Sequence, residues 1–204
     1  QALEAGIEMV RRLKEDGYGL LATGEMGIGN TTTSSAVCSV LLDQSVEKVT
    51  GKGAGLTNKD LEHKIEVIKQ SIALNQVDAN DPIDVLSKVG GLDIAGMVGC
   101  YIGGAALQVP VFIDGFISSV AALIAIRLIP ECAPYLFPSH CSNEPAGHLI
   151  LDAIGKEPYI LANMCLGEGT GAVMGFTIAD YAFKAYWELP SFEQTNFGTY
   201  EELN

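Results

Sequence analysis

The chain has 204 residues, 48% hydrophobic and 18% charged, and its 25 acids against 12 bases give a net charge of -13. A chain of this length forms one α/β-sized core that removes roughly 70% of its extended surface from water, which excludes disorder and the need for a disulfide or metal staple. The acidic balance argues against a nucleic-acid backbone or an anionic membrane as partner, so an anionic small molecule must be held by local donors.

Residues 2–15 carry Leu3, Ile7, Val10 and Leu13 at helical spacing, and Gly17 ends that helix. Tyr18 to Thr23 is a short apolar run entering a glycine loop, Gly24 to Asn30, after which Thr31 to Ser35 open an apolar helix reaching about Leu42. Residues 50–57 form a second glycine loop, and Thr57 or Asn58 caps a helix to about Leu74 with a core stripe of Leu61, Ile65, Ile68 and Ile72. A polar loop at 78–82 precedes a short helix, Ile83 to Val89. Gly91 to Leu107 reads as a small-residue helix packed tightly against a neighbour. Val109 to Ile113 is a β-like run, followed by Asp114-Gly115-Phe116 and a helix from about Ser118 to Leu128. Tyr135 to Phe137 reads as another strand, 147–154 as a helix, and 159–164 as a strand or a buried helix. A long helix, about Ala172 to Trp187, closes the core.

Apolar strands alternating with helices predict an α/β fold with a mostly parallel, Rossmann-like sheet covered by helices on both faces. It is read as a single domain over residues 1–188, whose last helices could instead belong to a smaller helical domain, with an acidic, aromatic tail over 189–204. Ligands of such folds sit at the carboxyl ends of strands, which here means the loops at 24–30, 114–116, 139–145 and 167–171.

Five cysteines (Cys38, Cys100, Cys132, Cys141, Cys165) are an odd number without a CxxC pair, the pattern of reduced thiols in a cytoplasmic protein. Gln1 opens the chain inside a helix-like stretch with no signal peptide, and the longest apolar run, Ile117 to Ile126, is too short to span a bilayer.

The loop Gly27-Ile28-Gly29-Asn30-Thr31-Thr32 suits a phosphate, because glycines admit the anion and free N–H groups at a helix start point at it. A tight turn with threonine caps is the competing reading. It is not a Walker A loop, and Thr32 stands where a dinucleotide fingerprint needs its third glycine. Lys64 lies at the edge of a core stripe, where a lysine snorkels outward or meets an anion. Glu168, in Gly-Glu-Gly-Thr-Gly at the start of the long helix, is either a helix cap or a ligand-facing acid, and Glu25 occupies a similar place at a strand end. His140, Cys141, Glu144 and His148 match no standard zinc spacing, so no metal is expected.

The segments GEMGIGNTT (24–32), GKGAGL (51–56), DGFISS (114–119), SHCSNEPAGH (139–148) and LGEGTGA (166–172) together resemble the nicotinate-nucleotide–dimethylbenzimidazole phosphoribosyltransferase family through nearly the whole chain. The resemblance implies a homodimer with a Rossmann-like domain and a smaller helical one, and no cofactor. It implies transfer of ribose 5-phosphate from nicotinate mononucleotide to 5,6-dimethylbenzimidazole, giving α-ribazole 5′-phosphate for the lower loop of cobalamin. By it Glu168 matches the general base and Glu25 a second acid of the active site. Gly27, Ile28, Gly29, Asn30 and Thr31 match the phosphate loop, Lys64 a lysine near the phosphate, and Ser142 and Gly167 residues lining the nucleotide site. Cys141 and Asn143 depart from the usual SHxSAEP. The resemblance also implies that much of the small domain and part of the benzimidazole pocket lie before the position of Gln1, so the chain is a fragment or a truncated relative.

In the expected reaction a ring nitrogen of the acceptor attacks C1′ as nicotinate leaves, inverting β to α, while Glu168 takes the acceptor's N–H proton. A noncatalytic nucleotide- or phosphate-binding relative lacking the acceptor-binding segment is the alternative. An NAD-dependent dehydrogenase, with Glu47 as ribose acid, is a weaker one.

Overall fold

The structure is a computed structural model and describes residues 1–53 and 55–195. Helix α1 (Ala2–Glu15) leads through Gly17 to strand β1 (Leu21–Ala22), a glycine loop, and α2 (Asn30–Leu42). Then come α3 (Val46–Val49), α4 (Asn58–Asn75), α5 (Pro82–Val89) and α6 (Leu92–Ala106), followed by β2 (Val111–Ile113) and α7 (Phe116–Leu128). A 3₁₀ turn (Pro130–Tyr135), β3 (Leu136–Pro138), α8 (Gly147–Ala153), α9 (Thr170–Glu188) and a last 3₁₀ turn (Phe192–Gln194) complete the described elements. The remainder of the expected tail, 196–204, lies outside the described residues.

Of the two caps read from the sequence for α4, Thr57 or Asn58, the structure uses Thr57. The Thr57 side chain accepts from the Asp60 N–H, and Asp81 accepts from Ile83 and Asp84 ahead of Pro82, so two of the orphan helix ends are satisfied locally. Helix α6 packs on α1 at backbone contact. A Cβ on Gly6 would lie 2.0 Å from the Gly96 carbonyl oxygen, and one on Gly99 2.0 Å from that of Leu3. The glycines of this small-residue helix are thus what lets the two axes approach.

The described strands form a parallel sheet in the order β1-β2-β3, with Leu21 opposite Val111 and Phe112 opposite Phe137. Alternation along β2 sorts its side chains. Val111 and Ile113 join the main core, which α2, α4, α5, α6 and α7 build on one face. Phe112 points to the other face and packs against Phe137, Tyr159 and the α9 residue Phe176, with ring centroids 5.9, 6.3 and 5.4 Å away.

Four details differ from the sequence reading. Helix α7 begins at Phe116, two residues early, with Ser119 Oγ donating to the Gly115 carbonyl oxygen at 2.8 Å. The stripe of α4 is centred one position over, on Lys64 and Ile68, while Leu61, Ile65 and Ile72 are half-buried. Residues 159–164 form no strand or helix and meet the sheet through a parallel bridge of His140 with Ile160, the Tyr159 N–H on the Pro138 carbonyl oxygen and the Tyr159 ring on Phe112. Helix α9 does not close the core along its length. Only Gly171, Ala172 and Gly175 are buried, and Tyr181, Phe183, Tyr186 and Trp187 are exposed. Apolar residues run round this helix without a face, so pattern alone could not say which side meets the sheet.

No helix among the described residues is long and apolar enough to cross a membrane.

Candidate active site

A cleft opens at the carboxyl ends of the three strands, where a doubly wound sheet places its ligands. Each strand contributes the segment that follows it: Glu25, Gly27 and Thr31 after β1, Asp114 to Ser118 after β2, and His140, Ser142 and Glu144 after β3. Residues 165–167, just before α9, close the fourth side.

The loop after β1 leaves its backbone open. Gly27 and Gly29 have φ of +82° and +84°, a region open to glycine at little cost, and Gly29 is the N-cap of α2 without any side-chain cap. The first N–H groups of α2 are therefore left to a ligand, at the positive end of the helix. The Glu25 carboxylate is half-buried and accepts from the Gly27 N–H, so it shapes the loop while lining the cleft.

Helix α9 presents the opposite case. Its start is capped from another element: Asp114 Oδ2 accepts from the Gly169 N–H at 3.0 Å and Oδ1 from the Ala172 N–H at 3.1 Å. Of the three helix starts beside the cleft, α2 and α7 have no side-chain cap, and α9 is occupied by a protein carboxylate. Glu168 is thereby relieved of the capping role. It is exposed at the rim, and it is not among the residues lining the cleft, although its neighbour Gly167 is. Among the described residues no hydrogen bond or ion pair engages its carboxylate.

Lys64 is 7% exposed and donates to Thr31 Oγ1 at 2.9 Å and to the Gly51 carbonyl oxygen at 3.1 Å. Of the two outcomes open to a lysine at a stripe edge, it therefore turns inward. Burial lowers its pKa, and the carboxylate of Glu144 opposes the shift; burial raises that of Glu144, and Lys64 opposes it. The carboxylate rests on Gly51, where a Cβ would lie 1.8 Å from Glu144 Oε2.

Ser142 and Gly167 line the cleft. Ile28 is 76% exposed, and Asn30 is bonded through Nδ2 to Asp93 Oδ2 at 2.6 Å. Neither of these two, nor Gly29, lines the cleft.

His140 is 3% exposed and lines the cleft between Gly115 and Gly171. The Ser139 hydroxyl donates to the Ile113 carbonyl oxygen at 2.7 Å, so its oxygen accepts from His140 Nδ1–H at 3.0 Å. That assigns the proton to Nδ1 and leaves Nε2 as the acceptor. Burial lowers the His140 pKa, against the pull of Asp114.

The loops at 114–116 and 139–145 are among those expected to bear ligands, but Asp114 was given no role, and His140 and Glu144 entered only as metal candidates. The usable signal was position: each follows closely on a strand of a parallel sheet. Among the described residues no three His, Cys, Asp or Glu side chains are grouped to hold a metal ion.

A sequence-family profile described as phosphoribosyltransferase matches residues 1–197. The chain belongs to this phosphoribosyltransferase family. The nicotinate-nucleotide–dimethylbenzimidazole phosphoribosyltransferase of Ruminiclostridium cellulolyticum is 53% identical over 203 residues, covering 100% of this chain and 58% of that protein. The enzyme of the same name from Acetivibrio thermocellus is 51% identical over 201 residues, covering 98% of this chain and 57% of its own. The crystal structure of CobT from Thermus thermophilus superposes with a TM-score of 0.88 at 34% identity, over 95% of this chain and 57% of that one. The chain thus spans somewhat more than half the length of the curated relatives it matches.

Proposed function

We propose that this phosphoribosyltransferase moves ribose 5-phosphate from nicotinate mononucleotide to 5,6-dimethylbenzimidazole, giving α-ribazole 5′-phosphate and nicotinate for the lower loop of cobalamin. The observation that carries the reading is the open start of α2, with Gly27 and Thr31 facing Ser142 and Gly167 across a cleft at the strand ends. It stands in a chain 53% identical to an enzyme named for that reaction.

The 5′-phosphate sits on the N–H groups that open α2, with Gly27 to Thr31 around it and Lys64 supplying charge from behind Thr31. Ser142 and Gly167 flank the nucleotide. The acceptor's ring nitrogen attacks C1′ from the side opposite nicotinate, so the β-linked nucleotide becomes α-linked. The attacking electron pair forms the new C–N bond, the C1′–nicotinate bond breaks onto the leaving nitrogen, and the acceptor's N–H proton passes to Glu168. An aromatic acceptor laid over the rim shields Glu168 from water and makes it more basic. Glu25, tied to the Gly27 N–H, keeps the phosphate loop in shape. The protein works as a homodimer in the cytoplasm.

The test is incubation of the full-length chain with the mononucleotide and dimethylbenzimidazole. The expected product has the mass of ribazole phosphate and an α-anomeric proton by NMR. Binding of the mononucleotide without turnover would favour the noncatalytic reading instead.

A further inference from the structure

Gly167, Glu168 and Gly169 all have positive φ, at +78°, +56° and +81°. The left-handed region is free to glycine, but Glu168 enters it against the steric resistance of its own Cβ. Such a run persists only where its surroundings hold it. On one side the Glu168 N–H donates to the Glu25 carbonyl oxygen at 2.9 Å, and a Cβ on Gly24 would lie 2.7 Å from the Gly169 nitrogen. On the other side stand the two bonds from Asp114, which is 2% exposed. Helix α9 has no cap of its own, because Gly169 lacks a side chain and Thr170 Oγ1 donates to the Gly167 carbonyl oxygen at 2.7 Å. Nor is there slack around the carboxylate: a Cβ on Gly171 would lie 2.9 Å from Asp114 Oδ1.

We propose that Asp114 is the positioning residue for Glu168, clamping the 167–169 run to the end of β2 and so fixing where the Glu168 carboxylate stands at the rim. The inference rests on the reading of Glu168 as general base. A carboxylate is needed because two N–H donors converge on it from one helix end. Asparagine has the same shape but sets an NH₂ donor against one of the two, so half the clamp is lost and a donor faces a donor. The run meets the phosphate loop through the Glu25 carbonyl oxygen and Gly24, but the loop is also held by the Glu25 carboxylate on the Gly27 N–H and by Lys64 on Thr31 and Gly51, none of which involves Asp114, so binding of the mononucleotide should change far less than turnover.

The experiment combines amide hydrogen exchange over residues 167–172 with steady-state kinetics on Asp114→Asn, Glu168→Gln and the double variant of the full chain. In Asp114→Asn, exchange in this segment should rise by about tenfold or more while α1 and α6 keep their protection. The kcat should fall by about 10²-fold, the scale of a misplaced reacting group, with KM for the mononucleotide changed by less than about threefold. In the double variant the two losses should not multiply, because a misplaced glutamine costs nothing further. A merely structural aspartate would give losses that multiply. That outcome, or a folded Asp114→Asn with unchanged exchange and near-normal kcat, overturns the proposal. Should Asp114→Asn fail to fold, Gly24→Ala takes its place by pushing the same run from the other side, under the same criteria. Wild-type protein that transfers nothing would refute the function, while exchange still decides whether Asp114 holds the run.

Discussion

The Lys64 ammonium donates to Thr31 Oγ1 at 2.9 Å, linking the buried middle of α4 to the first turn of α2. The bond does two things. It gives a lysine that burial makes reluctant to charge a defined partner, and it sets positive charge directly behind the loop that reads as a phosphate cradle. Lys64→Ala should therefore weaken binding of nicotinate mononucleotide far more than binding of its dephosphorylated nucleoside. A charge-assisted contact of this kind is worth about 1.5–3 kcal/mol, and calorimetry with both ligands measures the gap directly. Equal losses for the two ligands would remove Lys64 from the phosphate site.

Glu168→Gln keeps the side chain's shape and removes its basicity. The expected outcome is a kcat lower by about 10²–10⁴-fold, the usual range for one acid–base group, with little change in mononucleotide binding. The cap of α9 belongs to Asp114, so the variant should also unfold at the wild-type urea concentration. Near-normal turnover would take Glu168 out of the chemistry; if Glu25→Gln alone then abolished turnover, the base would move there.

Burial holds His140 below the ordinary imidazole value of 6.5. A depressed folded value means that the folded state disfavours the protonated ring. The stability it contributes is present above 6.5 and lost as pH falls through the folded value. The wild-type protein should therefore lose unfolding free energy on this account as the pH drops below 6.5, and His140→Gln should lose less over the same interval. Glu144, raised by burial, acts with the opposite sign, so the variant-minus-wild-type difference is the quantity to read. Parallel stability curves for the two proteins from urea titrations across that range would contradict the assignment.

Gly6→Ala and Gly99→Ala each push a methyl into backbone of the facing helix, which cannot turn aside as a flexible side chain would. Overpacking of this kind costs about 1–3 kcal/mol, and more where no side chain can yield. Both variants should show a lowered urea midpoint by circular dichroism. Wild-type midpoints would mean that α1 slides on α6 at no cost.

Local signals made most of the fold legible. Helical spacing of Leu3, Ile7, Val10 and Leu13 marks α1, Thr57 announces α4, the polar loop at 78–82 precedes α5, and the β-like run through Val111 contains β2. The glycine loop and the helix start behind it were legible for the same reason, since Gly27 to Thr31 are neighbours in the chain. What escaped depends on residues brought together by the sheet. Asp114 meets Gly169 across 55 positions, and no local pattern connects the two. Helix α9 was misjudged from the other direction, because an all-round apolar composition predicts burial without naming what covers it.

The single tryptophan, Trp187, stands 77% exposed near the end of α9, edge-on to Tyr186 with ring centroids 5.0 Å apart. Its indole already meets water in the folded chain, so its fluorescence is nearly blind to melting of the core around Tyr101 and Val120, and a fluorescence titration alone would understate that loss. The same placement makes it a native optical label for one stretch of surface. Whatever comes to rest on the end of α9 should draw its emission toward the blue, with no dye attached and no residue changed.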